Sequence, residues 1–178
     1  ALGMYMITVI LGLFLLILGL YPLMIRFFAG IRIPDFLKGI LPAQLVAFTT
    51  SSSAATLPVT LKQVTNELKV SKPIANFVLP VGVTINMDGT AIMQGVATVF
   101  IAQAYNIDIS MTGYLMVVVT ATLASIGTAG VPGVGLITLA LVLQQVGLPV
   151  EGIALIIGVD RLLDMMRTAV NVCGDAAV

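Results

Sequence analysis

Hydrophobic and charged positions are arranged along this chain in long blocks rather than residue by residue. Charge-free stretches cover residues 1–25, 39–61, 73–87, 89–107 and 109–150. The first holds MITVILGLFLLILGLYPLMI, which alone supplies the roughly 20 apolar residues that cross a bilayer core. Two later stretches are interrupted by small and turn-forming residues, TTSSSAATLP at 49–58 and SIGTAGVPGVG at 125–135. The flanks of the first interruption are each too short to span a membrane unaided. A broken stretch either crosses the membrane or dips in and returns, and the charges choose between these. Arg26, Arg32 and Lys38 precede the first interruption and Lys62, Lys69 and Lys72 follow it; a re-entrant hairpin keeps all six on one face, the cytoplasmic one. The loops around Asp108 and Glu151 carry no Lys or Arg, so the second hairpin enters from outside. The expected order is a spanning helix (about 3–27), a hairpin (about 34–68), a broken span (about 73–105), a second hairpin (about 111–147) and a last helix (about 152–178).

The two halves echo each other. Ser51, Ala55 and Pro58 match Ser125, Ala129 and Pro132 in spacing, and NMDGT at 86–90 matches NVCGD at 171–175 as Asn-x-x-Gly. Each half then reads as a hairpin followed by a helix interrupted at Asn-x-x-Gly. With the halves entering from opposite faces, the fold class is an all-α membrane protein built as an inverted repeat, an arrangement in which discontinuous helices form a midplane site.

Composition agrees. Mean hydropathy is +1.13 and only 9% of residues are charged, against about a quarter in a soluble domain. No basic segment precedes the first apolar run and no small-residue cleavage site follows it, which argues against a cleaved leader. The formal charge of zero offers nothing to nucleic acid. One cysteine, Cys173, and no histidine leave no internal disulfide and almost no zinc chemistry. The chain lacks an initiator Met and stops at Val178 within an apolar run, so it reads as a piece of a longer protein.

Charge gathers instead in DRLLDMMRTAVNVCGD, residues 160–175. On a helix Asp160, Asp164, Arg167, Thr168, Asn171 and Asp175 fall within one wedge about 100° wide. A ladder of structural ion pairs would use the same spacing. Each charge at membrane depth costs roughly 2.5–3.5 kcal/mol, however, which makes a purely structural ladder expensive and points to a functional cavity. In TINMDGTA, Asn86 and Asp88 stand beside Gly89 in an otherwise charge-free helix. A local break there frees carbonyls, which with a carboxylate are hard ligands for a small cation; a plain kink with a hydrogen-bonded Asp is the other reading. The serine run 51–53 and GTAGVPGVG read as hairpin tips that open helices, where free N–H groups attract anions or merely serve capping and close packing.

Four membrane aspartates (Asp88, Asp160, Asp164, Asp175) against Arg161 and Arg167 leave a formal −2, so the set calls for cations or protons. Arg167 can grip a carboxylate in a two-pronged fork, Asp164 one turn away can hold an ammonium, and a second carboxylate reaches Asn171 and the tips. The substrate that fits is an acidic amino acid, with Na⁺ or H⁺ bound alongside.

SSSAATLP, NMDGTA, ASIGTAGVPG and DRLLDMMRTAVNVCGD closely resemble the signature segments of the dicarboxylate/amino acid:cation symporters, the glutamate/aspartate transporter family that includes the excitatory amino acid transporters. Members of this family are among the transporters in which that inverted-repeat arrangement is found. The resemblance implies Arg167 for the substrate side-chain carboxylate, Asp164 for its ammonium, Asn171 for its α-carboxylate, hydroxyl contacts from Thr90 and Thr168, and backbone contacts at Ser52, Ser53, Val131 and Gly135. It implies Na⁺ ligands from Gly82, Asn86, Asn171 and Asp175 in one site, from Thr84, Ser125, Ile126 and Thr128 in another, and from the side chains of Asn86 and Asp88 in a third. It further implies a multi-pass protein of the plasma or inner membrane, a homotrimer whose transport domain moves like an elevator against a fixed scaffold, and a second hairpin acting as outer gate. Residues 1–178 correspond to part of the transport domain, without the upstream scaffold helices.

Rival substrates fare worse on the residues. A C4-dicarboxylate has no ammonium for Asp164, and a neutral amino acid would leave Arg167 a buried charge without a partner. H⁺ coupling through Asp175 or Asp88 stands as the alternative to Na⁺. An intramembrane serine protease lacks any His base, and NVCGD lacks the glycine that intramembrane aspartyl proteases place before Cys-Gly-Asp.

Overall fold

The computed structural model describes residues 2–178. It is all helical, with no strand among the described residues. We number the helices α1 (Leu2–Ala29), α2 (Ile33–Thr50), α3 (Ser53–Asn66), α4 (Lys72–Ile85), α5 (Asp88–Ala104), α6 (Met111–Ser125), α7 (Val134–Gln145) and α8 (Ile157–Ala177), with a 3-10 turn at Val150–Leu155 before the last. Among the described residues only α1 is both long and apolar enough to cross a membrane as one uninterrupted helix.

Local chemistry sets the helix ends. Pro34 sits in the first turn of α2, where its missing N–H costs nothing. The same helix closes at Ser51, whose φ of 51° reverses the chain. Ser52 then caps α3 by accepting from Ala55 N at 3.1 Å, and Ser110 caps α6 through Gly113 N at 3.1 Å. Glycine is required at 133, just ahead of α7, where φ is +79°. The backbone also leaves helical geometry between α4 and α5, at Asn86 and Met87.

α1 carries π-helical turns at Leu16–Leu20 and Ile25–Ala29. Pro22 has no N–H to give to residue 18, and a widened turn absorbs the lost bond. The consequence is one of register. At 100° per residue a four-residue spacing drifts about 40° each step, and the widened turns rotate it back. Tyr5, Val9, Leu13, Tyr21 and Ile25 therefore all lie buried.

α8 is the hub, packed against α1, α2, α3, α4 and α5. The helix pair α2–α3 packs together and against α4 and α8; the pair α6–α7 packs together and against α5. The distribution of polarity is turned inside out. Arg167 is 1% exposed, while Phe28 is 88% and Met111 79% exposed. Water would not tolerate so much outward-facing apolar surface, whereas lipid favours it and drives polar groups inward.

One expectation is corrected. The second Asn-x-x-Gly segment does not interrupt its helix, since α8 runs unbroken from Ile157 to Ala177. A lone glycine costs a helix only about 1 kcal/mol, and this one serves packing: a Cβ at Gly174 would lie 2.6 Å from Tyr21 Oη and 2.7 Å from Asn86 Nδ2. That glycine makes room for neighbours instead of loosening the backbone.

Candidate functional site

The two chain reversals meet beside α8. Ser52 Oγ donates to Gly130 O at 2.7 Å and Ala54 N donates to the same carbonyl at 3.1 Å. A Cβ at Gly130 would stand 3.1 Å from Ala54 N and 3.0 Å from Val83 Cγ1, so the approach depends on glycine. Between the tips lies a cavity of about 20 Å³, room for roughly one water. Ser53, Thr90, Val131, Gly135, Asp164, Arg167, Thr168 and Asn171 line it. Ser52 stands behind, tied to the opposite tip.

Arg167 is held by two carboxylates, Nη1 to Asp160 Oδ1 at 3.1 Å and Nη2 to Asp164 Oδ1 at 2.8 Å. Asp164 Oδ2 accepts from Gly133 N at 3.0 Å, which ties the second tip to α8. Thr168 Oγ1 donates to Asp164 O at 2.8 Å. Asn171 Oδ1 accepts from Gly89 N at 2.8 Å, and its Nδ2 faces Met87 Sδ at 3.2 Å and Thr90 Oγ1 at 3.4 Å. Arg167 thus has two carboxylate partners within the protein, Asp160 and Asp164. This removes one ground used against a neutral amino acid, that Arg167 would be left unpaired.

Asp160 had no assignment from the sequence, and the structure supplies one: it is the second anchor of Arg167, seven residues and two turns away. Their shared wedge was the available signal. Gln94 was also missed. It is fully buried, donates to Gly135 O at 3.3 Å and Thr138 Oγ1 at 2.7 Å, and finds no partner for its Oε1 among the described residues. Its position one turn after Thr90 on α5 could have flagged it. Ser51 likewise lines the cavity, and its buried Oγ has no partner among the described residues.

The expected cation ligands are brought together unevenly. Asn86 Nδ2 donates to Asp175 Oδ1 at 3.0 Å, and a Cβ on Gly82 would lie 3.0 Å from that same oxygen, so Gly82, Asn86 and Asp175 share one corner. The side-chain carbonyl of Asn171 is turned away to Gly89. Asp88 Oδ2 accepts from Tyr21 Oη at 3.1 Å. Ser125 and Thr128 are joined through Thr128 N to Ser125 O at 3.1 Å, with Ile126 between them. Thr84 Oγ1 donates to Val81 O at 3.0 Å, and no hydrogen bond links it to that loop. In the first corner Asp175 supplies a carboxylate oxygen, Asn86 turns its Nδ2 toward it, and the Gly82 carbonyl accepts from Asn86 N at 2.7 Å; a hard cation, which prefers oxygen ligands, would need the Asn86 amide turned over.

A family profile described as the sodium:dicarboxylate symporter family matches residues 1–178. Similar proteins include excitatory amino acid transporter 5 of Homo sapiens, 49% identical over 175 residues, and excitatory amino acid transporter 3 of Oryctolagus cuniculus, 52% identical over 176. Excitatory amino acid transporter 1 of Ambystoma tigrinum is 50% identical over 177 residues. Each match covers 98% of this chain and 31%, 33% and 32% of the respective relative; the chain spans about a third of their length.

Proposed function

The chain belongs to the sodium:dicarboxylate symporter family, and from that premise we propose that the whole protein is a secondary active symporter of L-glutamate and L-aspartate driven by Na⁺. The observation that carries this reading is the buried guanidinium of Arg167, clamped between Asp160 and Asp164 at the wall of a small polar cavity. A substrate carboxylate entering there takes over the Arg167 fork from one aspartate, and the released carboxylate of Asp164 turns to the substrate ammonium. Asn171 meets the α-carboxylate, Thr90 and Thr168 supply hydroxyl contacts, and Ser52, Ser53, Val131 and Gly135 supply backbone contacts.

Such a substrate brings −1 to a set already at a formal −2, so cations must travel with it. Na⁺ is cargo here. Its ligands are Gly82, Asn86, Asn171 and Asp175, with Asn86 and Asp88, and Thr84 with Ser125, Ile126 and Thr128, in two further sites. Filling the first site requires Asn171 to share its carbonyl between Gly89 N and the ion.

In this reading α2–α3 and α6–α7 are re-entrant hairpins of an inverted repeat, and residues 1–178 form part of a transport domain (about 3–27, 34–68, 73–105, 111–147 and 152–178). The reciprocal contacts of the two Asn-x-x-Gly segments, Asn86 with Asp175 and Asn171 with Gly89, support the repeat. The second tip is the gate: its helix α7 has no side-chain cap, and a few bonds hold it to α3 and Asp164. Trimerisation and elevator motion belong to the full-length protein.

The test is uptake of labelled L-aspartate and L-glutamate by full-length protein in liposomes, with a Na⁺ gradient or a pH gradient imposed separately. Uptake is expected with the Na⁺ gradient alone. Arg167→Ala is expected to lower acidic amino acid uptake roughly a hundredfold or more, the scale of losing one partner of a buried charge pair, about 2–5 kcal/mol. Unchanged uptake in that variant would sink the binding assignment, and uptake driven by pH alone would replace Na⁺ with H⁺.

A further inference from the structure

Tyr21 lies in an uninterrupted apolar run and is 2% exposed, yet its hydroxyl points at charge. It donates to Asp88 Oδ2 at 3.1 Å. It also stands 2.6 Å from the point where a Cβ on Gly174 would sit, and Asn86 Nδ2 is 2.7 Å from that point. The phenol oxygen and the Asn86 amide are therefore no more than about 5.3 Å apart. Asn86 in turn donates to Asp175 at 3.0 Å. Asp88, Tyr21, Asn86 and Asp175 thus form a row in which two carboxylates are met by one phenol and one amide, and no Lys or Arg pairs with either carboxylate among the described residues.

A phenol differs from an amide N–H in one respect that matters here. Its oxygen donates one hydrogen bond and accepts others, so rotating the O–H exposes a lone pair without moving the ring. We propose that Tyr21 is a cation-site residue, its hydroxyl holding Asp88 when no ion is bound and its oxygen serving as a ligand when one is. This rests on the reading of Asp88 and Asn86 as cation ligands. The fold prepares the position: the π-turn at Leu16–Leu20 rotates Tyr21 onto the buried face of α1, and Gly174 leaves the space its hydroxyl needs.

The test uses full-length protein in detergent, with Na⁺ alone as the probe and thermal unfolding as the readout, so that transport is not required. Tyr21→Phe keeps the ring and removes the oxygen. Its Na⁺ midpoint is expected to rise about fivefold or more, while its KM for L-aspartate at saturating Na⁺ is unchanged. A Na⁺ midpoint that stays put makes the hydroxyl a packing group, and one that falls makes it a competitor of the ion; either overturns the proposal. So does a changed KM for L-aspartate at saturating Na⁺, which would place the effect in the substrate site. Asp88→Asn tests the underlying reading separately and is expected to lose most of the Na⁺ response. Should Asp88→Asn respond to Na⁺ normally, the cation site itself is misplaced, whereas a normal response confined to Tyr21→Phe removes the tyrosine alone.

Discussion

The segments 86–90 and 171–175 share Asn-x-x-Gly and treat the backbone in opposite ways. At Asn86 (φ −92°, ψ 74°) and Met87 (φ −111°, ψ 48°) the chain leaves helical geometry, whereas α8 continues through Asn171 and Gly174 to Ala177. The glycines also differ in use. Gly89, in the first turn of α5, offers an N–H that no carbonyl of its own helix can accept, and Asn171 Oδ1 accepts it from α8 at 2.8 Å. Gly174 offers only the absence of a side chain. A shared motif therefore does not carry a shared conformation; what each glycine does is decided by what the neighbouring helix brings to it. The unbroken segment caps the broken one from outside.

That difference can be broken in steps of decreasing size. Asn171→Ala removes the remote cap and leaves Gly89 N–H buried without an acceptor. The expected loss is about 3 kcal/mol, the upper end for such a group, seen as a lower unfolding temperature of the full-length protein; a loss within error would mean that α5 needs no cap from α8. Gly174→Ala presses a methyl onto Tyr21 and Asn86 and is expected to cost about 1–2 kcal/mol, in the range of core overpacking. Gly158, on the same helix, has open space around its Cβ position. Gly158→Ala is expected to stabilise by about 0.5 kcal/mol through reduced backbone freedom in the unfolded chain. Equal effects at the two positions would remove the distinction between a glycine kept for space and one that is incidental.

How much of this was legible in the sequence follows the same line. The helical content and the polar face of α8 were readable, because 100° spacing and long apolar blocks are local properties. So was the departure from helix geometry at 86–87, where a polar Asn and a flexible Gly interrupt an apolar run. What Gly174 does was not readable, because the side chain that occupies the space beside it, that of Tyr21, comes from the far end of the chain. Asp160 was half legible: its place in the wedge was clear, but assigning Arg167 wholly to a ligand hid that it already had a protein partner. Tyr21 gave no signal, since a tyrosine in an apolar run is ordinarily read as packing or as an interfacial anchor, and only the π-turn reveals which way it faces.

The cavity between the tips, about 20 Å³, has a thermodynamic consequence. On the transport reading proposed above, a cavity with room for roughly one water has to widen before an amino acid enters, so the contacts between the tips compete with the substrate for the same side chains. Apparent affinity is then the intrinsic affinity scaled by the fraction of molecules that stand open. Each tenfold change in that fraction shifts the measured constant about tenfold while the fraction is small. On that reading, the Ser52–Gly130 and Gly133–Asp164 contacts shape the apparent affinity along with the groups proposed to touch the substrate.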